Sequence, residues 1–421
     1  MARKMKDSGI EWIGEIPEGW SIARGKHILT LLQRAVFPTD GVITCFRDGE
    51  VTLRSNRRED GFTVSLKEIG YQGIEPGDLV VHGMDGFAGS IGISDSRGKS
   101  SPVLVVLDSS QDKKYLMYYL RSMAYNNVFL ALSTGIRVRS CDLKWNKLAD
   151  LLYLVPPIVE QHKLVSFLDE KCSEIDAMLS KTRASIEEYK KLKQAVITQA
   201  VTKGVRGERE MKDSGVEWIG ETPKEWICEK IKYATSISRG LFNHRPRNDE
   251  RYYNGKYPFI QTGDVANATK YIVSYSQTLN ELGKAVSKEF PKGTLTMTIA
   301  ANVGDVAILN FDAYFPDSVV GFIPNKNIRT LYLFYVFSSM KDEFTRTAIK
   351  STQLNLNIDR VKETFIPVTL SVNEQCEIEN YLESKCAEID GLIAKKEQLV
   401  KELESYKKSL IYEVVTGKRE V

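Results

Sequence analysis

Met5-Lys-Asp-Ser-Gly-Ile-Glu-Trp-Ile-Gly-Glu-Ile-Pro-Glu-Gly-Trp20 returns almost unchanged as Met211-Lys-Asp-Ser-Gly-Val-Glu-Trp-Ile-Gly-Glu-Thr-Pro-Lys-Glu-Trp226. Twelve of the sixteen positions are identical, at an offset of 206 residues. Chance does not produce this, so the chain carries an internal duplication. A second pair of segments repeats at an offset of 214: Glu160-Gln161 with Glu374-Gln375, Lys171-Cys-Ser-Glu-Ile-Asp176 with Lys385-Cys-Ala-Glu-Ile-Asp390, and Val201-Thr202 with Val415-Thr416. The order is A-B-A′-B′. The B segments share one length, and the second A segment is eight residues longer.

The B segments read as long helices. At a period of 3.5, the first presents Leu168, Cys172, Ile175, Leu179, Thr182, Ile186, Tyr189, Lys193, Val196 and Ala200. The second presents Leu382, Cys386, Ile389, Ile393, Lys396, Val400, Leu403, Lys407, Leu410 and Val414. Eight of ten positions are apolar in each, which is a coiled-coil seam. Some forty residues reach roughly 60 Å at the helical rise. Pro156-Pro157 opens the first helix, and Ser371-x-x-Glu374 reads as a capping box for the second. Gly204 and Gly417 supply the stops. Two equal seams in one chain predict antiparallel pairing of the helices; packing of each helix on its own A segment is the alternative.

The A segments read differently. Short apolar runs such as Leu79-Val-Val81, Val103-Leu-Val-Val-Leu107, Thr294-Leu-Thr-Met-Thr-Ile299 and Val303-Gly-Asp-Val-Ala-Ile-Leu309 are broken by Gly and Asn, as strands with tight turns are. Stretches 113–123 and 328–344 carry helical periodicity. The expected fold is α+β: two mixed α/β domains joined by two long helices in an antiparallel coiled coil, as a pseudo-twofold repeat. Away from their shared ends the A segments barely align. One scaffold carrying two recognition surfaces explains that better than neutral drift, which does not leave near-identical ends.

At 421 residues the chain suits two or three domains. Its net charge of +3 does not by itself signal nucleic acid, so a DNA site must come from local basic clusters. No apolar run approaches the roughly 20 residues of a membrane span, and the first residues lack the apolar core of a signal peptide, so a cytoplasmic location is expected. Six cysteines without a CxxC pair argue against zinc.

Catalytic motifs are sought without success. There is no Asn/Asp-Pro-Pro-Tyr/Phe. Gly98-Lys-Ser100 lacks the first glycine of a phosphate loop, since position 93 is Ile93. Pro316-Asp317 has no nearby acidic-x-Lys partner, so the chain is expected to be non-catalytic and to bind no cofactor or metal itself. Basic and amide-bearing turns are present instead: Arg54, Arg57 and Arg58; Thr134, Arg137 and Arg139; Arg239, Arg245 and Arg247; and Lys350, Thr352, Gln353 and Asn355. Arginine reads guanine bidentately, and Gln or Asn reads adenine. Ser, Thr and Lys suit phosphates, which position a protein without specifying sequence. Taken singly, each of these residues also fits a solvated loop.

The opening 6–20, its copy at 212–226, the Pro156-Pro-x-x-Glu-Gln161 helix start and the Lys-x-x-Glu-Ile-Asp helices together resemble the specificity (S) subunits of type I restriction-modification systems. The second helix start departs from that pattern, since Ile366-Pro-Val-Thr-Leu-Ser-Val-Asn-Glu-Gln375 lacks the double proline. The resemblance implies target recognition domains at 1–155 and 206–366 and conserved long helices at 156–205 and 367–421. Each domain would read one half of a split, asymmetric site on double-stranded DNA. The helices would dock two methyltransferase (M) subunits and set the spacer, and restriction (R) subunits would join them. S-adenosylmethionine, ATP and Mg would belong to those partners. A type II-like specificity subunit and a non-DNA coiled-coil adaptor are the competing readings.

Overall fold

The computed structural model describes residues 3–57, 68–131, 142–347, 349–350 and 354–421. Four helices organise the chain: α1 (Lys113–Tyr125), α2 (Ile158–Lys203), α3 (Thr330–Ser339) and α4 (Val372–Val415). The fold divides into two compact units, one of residues 1–183 with 397–421 and the other of residues 184–396. Each unit therefore contains one A segment, the first half of the helix that follows it and the last part of the other long helix.

The first unit is built on a four-stranded antiparallel sheet in the order 29–31, 104–109, 79–82, 91–93. The second unit repeats that order as 235–239, 319–324, 295–298, 306–309 and adds the short parallel strand Tyr271–Ile272. The central strands are buried on both faces, Leu79-Val-Val81 with apolar side chains throughout and Leu295-Thr-Met297 with a threonine on one face, because helices cover one face and further strands the other. The start of each A segment pairs with its own end: Ser21–Arg24 with Leu152–Val155, and Ile227–Lys230 with Phe365–Val368. Each segment is thereby closed on itself before its long helix begins.

The long helices pair antiparallel within each unit. In the first, Lys407 Nζ donates to both oxygens of Asp176 at 2.7 Å, and Arg183 meets Glu404 at 2.5 Å. In the second, Lys193 Nζ bonds Asp390 at 2.7 Å in the same way, and Lys396 lies over the ring of Tyr189. The polar seam positions thus find carboxylates of the opposite helix. Leu168, Cys172, Ile175, Leu179 and Ile186, with Leu382, Cys386, Ile389 and Leu410, are buried; Val196, Ile393, Val400 and Leu403 are half-buried. The helices also pack on the A segments: Leu164 and Leu168 join the first core with Trp20, Tyr115 and Tyr153, and Ile378 and Leu382 join the second with Trp226, Tyr332 and Ile366.

The repeated opening motif grips helix ends. In the first unit Trp20 and Pro17 lie against Gly417, just beyond α4. In the second, Trp226 lies against Gly204, beyond α2, and Thr222 Oγ1 donates to Thr202 O at 2.9 Å. Both glycines have positive φ, +72° and +74°, which stops each helix and brings backbone under the indole. An arginine completes each clasp: Arg3 pairs with Glu160 over Trp20, and Arg209 with Glu374 over Trp226.

Glu374 forms half of the expected capping box. Its backbone N–H bonds Ser371 Oγ at 3.3 Å, but its carboxylate does not return to Ser371. That carboxylate is buried and accepts from Arg209 (2.6 Å), Thr369 (2.8 Å) and Trp226 Nε1 (3.1 Å). The missing double proline costs no geometry, since Gln375 N bonds Ser371 O at 3.0 Å just as Gln161 N bonds Pro157 O.

Gly417→Ala should destabilise the protein by ~1–2 kcal/mol or more, from the left-handed backbone alone. Gly391→Ala, in the body of α4 with no atom within 4 Å of the added carbon, should instead stabilise by up to about 1 kcal/mol. Thermal melts of the two variants check the contrast. Burial works against ionisation of Glu374, but its three hydrogen bonds outweigh that and hold its carboxyl below the usual range. Its contribution is therefore present above the unfolded carboxyl pKa of about 4.3 and lost as pH falls below it. Glu374→Gln should lose about 1.5–3 kcal/mol near neutral pH, and denaturation across pH 7 to 3 should show that gap closing with acid.

Candidate nucleic-acid interface

Each A segment hangs from its long helix through one glutamine. Gln161 Oε1 accepts from Asp112 N at 3.0 Å while its amide donates to Gln111 and Pro156. Gln375 Oε1 accepts from Arg329 N at 2.8 Å while its amide donates to Asn327 O and Thr369 O. Asp112 and Arg329 are the N-caps of α1 and α3, so the glutamine fixes where each begins. Paired tyrosines on those helices complete the mount. Tyr118 donates to Asp169 at 2.8 Å, and Tyr335 to Glu383, the residue at Asp169's place in the repeat. Tyr115-Leu-Met-Tyr118 and Tyr332-Leu-Phe-Tyr335 are a further repeat, at an offset of 217, that matching the A segments from their shared ends does not reveal. A tyrosine pair at i and i+3 was its signal.

The same backbone group is satisfied differently in the two copies. Tyr115 N is bonded by Asp112 of its own turn, at 3.1 Å. At Tyr332 N the N-cap is arginine, which cannot accept, and Glu379 of α4 supplies the carboxylate at 2.9 Å. Glu379 is buried and held by Arg329 at 2.8 Å.

Beyond this common frame the units differ. The first carries two small two-stranded sheets, 72–74 with 98–100 and 43–45 with 51–53. The second carries a four-stranded sheet in the order 277–279, 253–259, 313–314, 289–290. Of the described candidate arginines, Arg54 and Arg57 follow strand 51–53 of the first unit, whereas Arg239 ends strand 235–239 of the common sheet in the second and Arg245 and Arg247 lie in the loop after it. In the first unit Arg54 Nε donates to Thr44 Oγ1 at 2.9 Å. Arg57 sits 2.6 Å from Asp48 and 3.0 Å from Glu50 and stacks on Phe46. Its charge is locally matched, and Asp48 in turn is held ionised: burial opposes that, and the Arg57 hydrogen bond overcomes it. Arg58, Thr134, Arg137, Arg139, Thr352 and Gln353 lie outside the described residues. Lys350 and Asn355 belong to a short hairpin in which Lys350 faces Leu354 and Ile349 faces Asn355.

In the second unit three candidates converge. Arg239 Nε donates to Asp317 O at 2.5 Å, Arg247 pairs with Asp317 Oδ1, and Arg245 Nη2 is 3.9 Å from Oδ2. Arg245 also donates to the carbonyls of Phe242 and His244, pinning the loop that bears it. Two guanidinium groups at one carboxylate, with a third on the main-chain carbonyl of the same residue, leave an excess of positive charge at an exposed surface. Asp317, which led nowhere as a nuclease residue, is what gathers them. Beside the cluster opens a cleft of about 590 Å³. Phe242, Tyr253 and Phe259 form its aromatic side, with ring centroids 5.4–6.1 Å apart. Arg247, Asn248, Asn254, Gln261 and Gln277 supply its polar side. Dispersed over thirty residues, those amides had no motif to mark them.

Residues 240–402 match the family model described as the type I restriction modification DNA specificity domain. The MjaX type I restriction enzyme specificity subunit of Methanocaldococcus jannaschii is 23% identical, over 96% of this chain and 95% of that one. The chain thus resembles type I specificity subunits over nearly its whole length, while the family model matches less than half of it. The EcoKI specificity subunit of Escherichia coli is 22% identical over 54% of this chain and 51% of its own. A structure solved for assembly and conformational transition of the type I system shares the fold with a TM-score of 0.74 at 14% identity, covering 96% of this chain and 99% of that one. The HsdS subunit of Thermoanaerobacter tengcongensis gives 0.50 at 15%, covering 96% and 98%. Among the described residues, no helix is long and apolar enough to cross a membrane.

If this surface binds DNA, Arg245→Ala should weaken duplex binding and reduce the slope of log K against log salt by about 0.9, the share of a single phosphate. Titrations at several salt concentrations measure it, and an unchanged slope would remove Arg245 from the interface.

Proposed function

We propose that this chain is the DNA-recognition subunit of a type I restriction-modification complex, with its first A segment reading one half of a split, asymmetric site and its second the other. The observation that carries the reading is a duplicated frame, equal in sheet order, helix mounts and clasps, that bears two unlike outer layers. Equal frames suit equal partner subunits; unlike surfaces suit two different half-sites. Excess positive charge around Asp317 supports a phosphate-bearing ligand for the second segment.

Two methyltransferase subunits dock on the long helices in this proposal, and the helices set the spacer. The first unit exposes Ile158 and Tyr406, and the second exposes Val372 and Leu192 at the same places in the repeat. A partner that meets either residue in one unit meets its counterpart in the other. Restriction subunits join that assembly in the cytoplasm. Methyl transfer from S-adenosylmethionine and ATP- and Mg-dependent cleavage belong to the partners, and this chain is the non-catalytic reader. Single-molecule methylation sequencing of a host with and without the gene should show one split motif losing its modification with the gene. An unchanged methylome in a host expressing all partner subunits overturns the reading.

A further inference from the structure

The polar side of the cleft in the second unit is built on fixed supports. Asp264 accepts from Gln261 N at 2.8 Å and from Ser276 N at 3.1 Å, so one carboxylate holds both segments that carry Gln261 and Gln277. The two side chains are joined directly, Gln261 Nε2 to Gln277 Oε1 at 2.9 Å. The opposite rim is also tied down. Tyr253 Oη donates to Arg247 O, and His244 stacks on Tyr252 at 4.0 Å with Nε2 3.0 Å from Asp249. The arginine loop, the aromatic side and the amides are thus held in one arrangement before any ligand arrives, which is what a reading site needs.

A carboxamide has two N–H donors and an oxygen with two acceptor positions. The Gln261–Gln277 bond uses one donor and one acceptor, so the pair still offers both kinds of group from a restrained position. Adenine presents a matching set in the major groove, N7 as acceptor and the N6 amino group as donor. Arg247, which lines the same cleft, supplies charge for the backbone. Among the described residues, Arg247 is engaged on the protein through one guanidinium nitrogen. We infer that the Gln261–Gln277 pair is a specificity-determining element that reads an adenine of the half-site assigned to the second A segment. This rests on the DNA-recognition reading above and adds to it the residues and the base.

The test uses the full chain assembled with its methyltransferase partners and duplexes carrying the motif found by methylome sequencing. Each base pair of both half-sites is replaced in turn, and binding is measured by competition. In the wild-type complex, replacing the adenine that is read should weaken binding about ten- to hundredfold. With Gln277→Ala that penalty should fall below about threefold at one A·T pair of one half-site, and every penalty in the other half-site should stay. Gln277 is exposed, and a thermal melt verifies that the fold is kept; Gln261→Ala should flatten the same position. Unchanged penalties at all positions in both variants overturn the inference. So does a uniform loss across all duplexes, which marks a phosphate contact, or a flattened G·C pair. A wild-type complex that does not distinguish its motif from scrambled DNA sinks the DNA-recognition reading itself, a result separable from the others.

Discussion

A helix of more than forty residues with one apolar seam has to cover that seam along its whole length, and the rest of this molecule is arranged around that need. Neither α2 nor α4 has a partner of its own sequence. Each is instead covered in parts: by the A segment before it at its start, by the opposite helix through its body, and by the Trp clasp of the other A segment at its stop. Burial follows that order. Leu168 and Leu382 are fully enclosed near the starts, while Val400 and Leu403 are half-exposed. Lys193 and Lys407 would interrupt the seam, but each meets an aspartate of the antiparallel neighbour, which pairs the charge and sets the register.

That dependence explains which parts of the duplication stayed alike. Trp20 and Trp226 fill the space over a glycine that stops a helix, so the clasp, the glycine and the helix end must change together. The helix starts are bound in the same way, since Glu374 serves Trp226, Arg209 and Thr369 at once. Change was accommodated where one group could stand in for another, as when Glu379 of α4 replaced the N-cap carboxylate that Asp112 supplies in the first copy. The outer sheets carry no such shared duty. They could diverge without exposing the seam, and they are where the two units differ.

Charge follows the same division. Within the frame most ions are paired with a neighbour, as Arg209 with Glu374 or Arg329 with Glu379, and such pairs orient rather than attract. A net charge of +3 is the sum of these cancellations. Binding potential depends on local imbalance, and the second unit has one at Asp317, whose carboxylate meets two arginines and whose main-chain carbonyl meets a third. Arg57 of the first unit belongs to the opposite case, held between two acids.

The repeat, the two long helices, their antiparallel seam and the α+β class were legible in the chain because each is written in local periods or in adjacent residues that recur. The strands at 79–82, 104–109, 295–298 and 306–309 were legible as apolar runs for the same reason. The basic turns could be found, but not sorted, since whether an arginine is spent on a neighbouring acid depends on residues far along the chain. Asp317 lies seventy positions from Arg247 and seventy-eight from Arg239. The sequence by itself determined a duplicated chain with two helical struts, because amphipathic period and repetition survive without coordinates. Tertiary structure decided which groups face each other across the cleft, which carboxylate serves which cap and which cations keep their charge, because hydrogen bonds and ion pairs act through space at about 3 Å whatever the separation along the chain.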